Sequence, residues 1–139
     1  MKQTAPKAFG YSGTPLINKL GIKPEARIQF VSAPKNFRDL LGPLPKQATV
    51  KRDGALDFAI LFTRDKSALA AAFPGLRDRL ESNGMLWVAW PKKTSGVETD
   101  LTEGIVRTYG LEAGLVDVKV CAIDDTWSGL KFVRRLKDR

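Results

Sequence analysis

Histidine is absent from the 139 residues. That removes the commonest general base, the base of a Ser-His-Asp triad and the usual zinc ligand together. Chemistry in this chain has to rest on carboxylates, lysines, hydroxyls or a borrowed cofactor. Cysteine is nearly absent too. Cys121 stands alone, which excludes an intrachain disulfide and a cysteine cluster and fits a reducing compartment. No apolar run approaches the length of a membrane span, and the opening MKQTAPKAFGYSGTP lacks the apolar stretch of a secretory signal. Internal repeats and low-complexity tracts are also missing. A soluble, cytoplasmic protein with no membrane association and no metal is expected.

What is present is enough chain for one domain and a strong positive charge. At this length a single core buries about two-thirds of the unfolded surface, so no staple is needed. The formal net charge is +8, and it is unevenly spread. Residues 1–52 carry ten Lys and Arg against Glu25 and Asp39, residues 53–130 carry eight against twelve acids, and residues 131–139 carry five against Asp138. Basic ends flank a mildly acidic middle. Such asymmetry favours association with polyanions and says nothing of fold.

Strand and helix signals alternate along the chain. Residues 1–20 read as an arm rich in Gly, Ser, Thr and Pro leading into a short helical turn at Leu16 to Leu20, closed by Gly21. A single α/β domain is expected over 21–139. ARIQFVSA is a first strand, followed by a short helix NFRDLLG capped by Asn36 and closed by Gly42. QATVKR is a weak strand, and the Asp53-Gly54 turn behind it leaves open whether a hairpin or a crossing follows. LDFAILF and MLWVAW are near-continuous apolar runs, the pattern of strands buried on both faces.

The segment between those runs has Asp65 as an N-cap and Leu69, Ala72, Phe73, Leu76 and Leu80 on one helical face. Pro74 and Gly75 should kink or split this helix, and Asn83-Gly84 should end it. Strand, crossover helix and strand at this spacing form a parallel, right-handed βαβ unit. Asp100 and Glu103 have capping-box spacing before Leu101, Ile105 and Tyr109, which predicts a further helix to about Gly114, weakened by Gly104 and Gly110. VDVKVCAI and GLKFVRRL, joined by DDTWS, should close the chain as an antiparallel hairpin.

This order resembles the later part of the Rossmann-like methyltransferase fold that binds S-adenosylmethionine, with helices on both faces of a mostly parallel sheet and a C-terminal antiparallel hairpin. RIQFVSAPKN aligns with the pattern R-V-L-D-V-G-A-x-x-G of those enzymes. Phe30 stands at the acidic position, Ser32 at the first glycine and Asn36 at the last. The glycines let backbone approach the cofactor and the carboxylate holds its polar groups. The resemblance therefore implies the architecture and argues against the cofactor and the reaction. YSGTPL at 11–16, LGPLP at 41–45, AWPKK at 89–93, TDLTE at 99–103 and CAIDDTWSGL at 121–130 further resemble a small bacterial domain family to which no mechanism attaches.

Ligands of open α/β sheets bind outside the carboxyl ends of the strands. The first strand delivers Ser32, Pro34, Lys35 and Asn36 to that edge, LDFAILF delivers Thr63 and Arg64, and MLWVAW delivers Lys92 and Lys93 followed by Ser95 and Gly96. Lys35, Arg64, Lys92 and Lys93 suit an anionic ligand. Paired lysines that merely keep a loop solvated are the alternative. KKTSG lacks the glycine spacing of a P-loop.

Asp124 and Asp125, with Trp127, could serve a metal or acid-base role. The same residues suit a turn between two strands with Trp127 covering the core, and that reading is preferred. Ser12 and Thr14 belong to an arm that could fold over the site. The tail KFVRRLKDR could bind phosphates or guard a strand edge. The expectation is a non-catalytic domain, with no catalytic residue and no cofactor, binding an anionic small molecule or partner at the edge. Nucleic-acid binding through the basic ends and a cryptic methyltransferase-related enzyme are the alternatives.

Overall fold

The computed structural model describes residues 14–139, so the arm reading for Tyr11, Ser12 and Gly13 lies outside the described residues. LDFAILF and MLWVAW form the middle of the sheet, as β3 (Leu56–Phe62) and the last part of β4 (Leu80–Pro91). Leu56 and every residue from Phe58 to Phe62 are at most 3% exposed. Both faces of β3 are therefore covered, which is why the run shows no alternation. Removing each such side chain from water contributes up to about 1.5–3 kcal/mol.

Around this pair the chain lays down α1 (Leu16–Leu20), β1 (Arg27–Val31), α2 (Phe37–Leu41), β2 (Thr49–Val50), α3 (Lys66–Arg79), α4 (Glu103–Glu112), β5 (Leu115–Ala122) and β6 (Trp127–Arg134). The six strands lie in the order β2-β1-β3-β4-β6-β5. β1, β2, β3 and β4 are parallel, and β6 inserts antiparallel between β4 and β5. The open question at Asp53-Gly54 is thus settled: β2 pairs parallel with β1, and the chain crosses to β3 on the other side.

Each face of the sheet has its own core. On one, Leu61, Leu86, Val88 and Phe132 pack against Leu69, Phe73 and Leu76 of α3 and Val106 of α4. On the other, Ile28, Ile60, Phe62 and Trp87 pack against Leu20 of α1 and Phe37 and Leu41 of α2. The Trp87 indole donates to the Leu20 carbonyl at 2.8 Å, which fixes α1 to the centre of the sheet.

Four local expectations are corrected. α3 runs unbroken through Pro74 and Gly75 and stops at Arg79. Proline removes one N–H, and the carbonyl it deprives belongs to Ala70, which is exposed and can be hydrated. Asn83-Gly84 does not end the helix but lies inside β4, where Gly84 is needed because a Cβ would sit 2.8 Å from the Leu56 carbonyl oxygen. The cap of α4 is Thr102, whose hydroxyl accepts from the Ile105 amide at 3.2 Å. Asp100 instead accepts from the Lys66 amide at 2.9 Å, tying the loop before α4 to the start of α3. Asn36 begins α2 without a side-chain capping bond. Among the described residues no helix is long and apolar enough to cross a membrane.

Candidate functional site

The connection from β1 runs to β2 on one side, and β3 returns on the other. The carboxyl ends of β1 and β3 are therefore the topological switch point of the sheet, where the two neighbouring crossovers diverge and leave a crevice. A cleft of about 440 Å³ opens there. Ser32 and Pro34 form one wall, the segment Phe62, Thr63, Arg64 and Asp65 with Ala68 the other, and Trp127 of β6 reaches in over Phe62 with ring centroids 5.1 Å apart.

Ser32 has φ +58, in the left-handed region that favours glycine. A non-glycine residue held there costs on the order of 1–2 kcal/mol. It occupies the position where the methyltransferase pattern has its first glycine. The Ser32 hydroxyl has no hydrogen-bond partner among the described residues. Thr63 is buried, and its hydroxyl donates to the Asp65 carbonyl at 3.1 Å.

Arg64 is exposed, and among the described residues no carboxylate lies within ion-pair distance of its guanidinium. It also borders a second cleft of about 470 Å³ with Glu98, Thr99 and Asp100. Two of the acids beside it, Asp65 and Asp100, are engaged, while Glu98 is exposed and its side chain makes no hydrogen bond or ion pair among the described residues. Asp65 accepts from the Ala68 amide at 2.7 Å and from the Ser67 hydroxyl at 3.0 Å, and these bonds hold its carboxyl below the usual range. With Asp100 on the Lys66 amide, both carboxylates close the first turn of α3.

Of the site residues expected from sequence, the structure brings Arg64 and Trp127 together in the cleft. Lys35, Asn36, Lys92, Lys93, Ser95 and Gly96 do not line it. Lys92 and Lys93 follow the end of β4 on the same edge, and the Lys92 amide donates to the Thr126 carbonyl at 2.8 Å. The Ser95 hydroxyl donates to the Lys92 carbonyl at 2.7 Å and accepts from the Val97 amide at 3.1 Å, and Gly96 turns the chain at φ +78. These two residues build a turn.

Asp124 likewise accepts from the amides of Thr126 and Trp127, each at 2.8 Å. That bonding is a turn between β5 and β6. Asp125 is exposed beside it, and among the described residues no group of three acids or thiols converges as a metal site. Thr14 lies at the first described position, ahead of α1. Sequence reasoning missed Phe62 as a wall of the cleft, because it reads simply as the last core residue of its strand. Its position two residues before Arg64, at the end of a buried parallel strand, was the available signal.

Neither a protein-family model nor a curated protein sequence matches the chain. Solved structures do match in fold. The ribosomal protein L11 methylase of Lactobacillus delbrueckii subsp. bulgaricus aligns with TM-score 0.54 at 13% identity, covering 86% of this chain and 75% of that one. Magnesium protoporphyrin IX methyltransferase of Synechocystis PCC 6803, with bound SAM, aligns with TM-score 0.53 at 13% identity over 86% and 74%. LepI in complex with SAM aligns with TM-score 0.55 at 10% identity, where 96% of this chain spans half of that one. At these identities the likeness is one of fold: a Rossmann-like, methyltransferase-type α/β sheet.

The residues of the cleft do not fit the cofactor of that fold. Phe30 stands in place of the carboxylate on β1, with the Arg38 guanidinium 5.1 Å from its ring centroid. Nucleoside-binding sheets commonly take a second carboxylate from about twenty residues further on. Here β2 pairs only with Arg27 and Ile28, and the loop behind it turns back at the opposite edge, where the Gly54 carbonyl accepts from Arg79 at 2.7 Å. No carboxylate reaches the cleft from β2.

Proposed function

We propose that this chain is a non-catalytic domain of methyltransferase-like fold that binds a small anionic molecule in the switch-point cleft. The observation that carries the reading is the exposed Arg64 guanidinium, which forms no ion pair among the described residues, at the mouth of a crevice walled by Phe62, Trp127 and Pro34, where the neighbouring Asp65 is held by its own capping bonds. A fork of donors beside aromatic and apolar walls suits a carboxylate or phosphate attached to an apolar or ring-bearing body. Ser32 supplies a hydroxyl for orientation. Lys35, Lys92 and Lys93 add positive potential along the same edge and draw the anion in. Membership of the small bacterial family that YSGTPL, AWPKK and CAIDDTWSGL resemble is part of the same proposal.

Thermal unfolding against nucleotides, sugar phosphates, aromatic carboxylates and S-adenosylmethionine tests this. A ligand at 100 times its dissociation constant stabilises by about 2.7 kcal/mol. One anionic class should stabilise the wild type and not Arg64→Ala, with Lys92→Ala/Lys93→Ala intermediate. Stabilisation by S-adenosylmethionine instead would restore the methyltransferase-related reading.

A further inference from the structure

A second charged surface lies on the face of the sheet that carries α1. The register of the C-terminal hairpin sets Lys119 of β5 directly opposite Lys131 of β6, and Lys131 opposite Trp87 of β4. Directly paired residues share a face, and Trp87 identifies it as the one bearing Leu20. Like charges set opposite each other on neighbouring strands destabilise a sheet. Among the described residues no carboxylate lies within ion-pair distance of Lys23, Lys119 or Lys131. No ion pair among the described residues offsets that repulsion.

The charges that act on Lys131, and on Cys121 beside Lys119, are those of lysines. The Lys131 ammonium is held below its ordinary pKa by burial first, then by Lys119 and Lys23. Cys121, two residues along β5 from Lys119, has its thiol pushed up by burial, and the charges acting on it are Lys19 and Lys119. α1, the loop after it, β5 and β6 thus each contribute a lysine. The C-terminal arginines do not join them. Arg134 donates to the carbonyls of Arg77 and Leu80, Arg135 to that of Leu111 and Arg139 to that of Arg134, so these guanidiniums hold the fold together.

We propose that this lysine row binds the phosphodiester backbone of a nucleic acid without reading its sequence. Four ammonium groups supplied by four separate parts of the fold suit a ligand that repeats its charge. Ammonium groups are point charges and lack the planar fork that recognises one phosphate or base edge. Trp87, the aromatic on this row, is fully buried and offers no platform for a base. α1 turns Leu16, Ile17 and Leu20 into the core, leaving no apolar helix face to enter a bilayer. The row spans α1, the loop after it and the β5–β6 hairpin, whereas the small-molecule cleft lies between the ends of β1 and β3, so the two readings stand or fall separately.

Fluorescence anisotropy of the full chain with oligouridylate, oligothymidylate and a duplex, each of about fifteen nucleotides, tests the proposal. Contacts with three to four phosphates predict log K falling with log salt at a slope of about −2 to −3 for the single strands. Lys119→Gln/Lys131→Gln should weaken binding at least tenfold at about 50 mM salt and reduce the slope by about 1.4. Lys119→Glu should weaken binding while raising the unfolding temperature, because it replaces a repulsion with an attraction. Arg64→Ala should bind as the wild type does. Unchanged binding by Lys119→Gln/Lys131→Gln, a flat salt dependence, or binding to phosphatidylserine vesicles with no binding to any oligonucleotide would each overturn the assignment.

Discussion

Gly110 of α4 lies against the ring of Phe132 on β6 so closely that a Cβ on Gly110 would overlap the ring. The helix can pack on the hairpin only because that side chain is absent, and Phe132 is itself fully buried between Phe73 and the helix. Gly110→Ala should therefore destabilise despite alanine's better helix propensity. Overpacking of this kind costs about 1–3 kcal/mol. Urea unfolding would measure it; a stability equal to or above wild type would show that α4 can shift.

Trp87 joins the sheet to α1 through its bond to the Leu20 carbonyl. Trp87→Phe removes the donor and leaves a buried acceptor without its partner, a loss of about 1–3 kcal/mol before any cavity is counted. The midpoint of denaturant unfolding should fall while the cooperativity of the transition stays the same.

Acid should unfold this protein through its aspartates. The Arg27 guanidinium holds the Asp57 carboxyl below the usual range by hydrogen bonds at 2.9 Å, and Arg107 does the same to Asp117 at 2.9 Å. A carboxyl whose pKa is lower folded than unfolded contributes stability that is fully present above the ordinary aspartate value of about 3.9. That contribution is lost as pH falls through the depressed values. Unfolding temperature should be flat in this respect above about pH 5 and drop below about pH 4. Asp57→Asn should flatten part of the drop; an unchanged acid limb would exclude Asp57 as a contributor.

Ser32 sits in a backbone conformation better suited to glycine. Ser32→Gly should therefore leave stability unchanged or raise it by up to about 1 kcal/mol, since relief of strain competes with the entropy of a more flexible unfolded chain. If its hydroxyl orients the bound anion, affinity should fall in the same variant. A gain in stability with no loss of affinity would make Ser32 a backbone feature only.

The fold was legible wherever burial on two faces wrote itself into composition. LDFAILF and MLWVAW identify the central strands because neither has a solvent face, and the short DDTWS connection identifies the hairpin. Helix boundaries were harder. Asp100 has the spacing of a cap for α4, yet its carboxylate crosses to the Lys66 amide of α3, a tertiary contact that local pattern does not carry. Gly84 reads as a helix stop but answers the approach of the Leu56 carbonyl from the neighbouring strand. The carboxyl edge follows from strand direction alone, so Arg64 could be placed on it. Which residues of that edge line a cleft depends on strand order. Only once β1 and β3 are neighbours does the crevice fall at Ser32 and Phe62 rather than at Lys92 and Ser95.

The most direct measurement is a titration of uniformly ¹⁵N-labelled protein, followed by amide resonances, with the anionic class that stabilises it. The account predicts that the Ser32, Thr63 and Arg64 amides move together and saturate, with smaller shifts at Lys92 and Lys93. Shifts confined to residues 92–96, or none near the ends of β1 and β3 while binding persists, would contradict the placement of the site at the switch point.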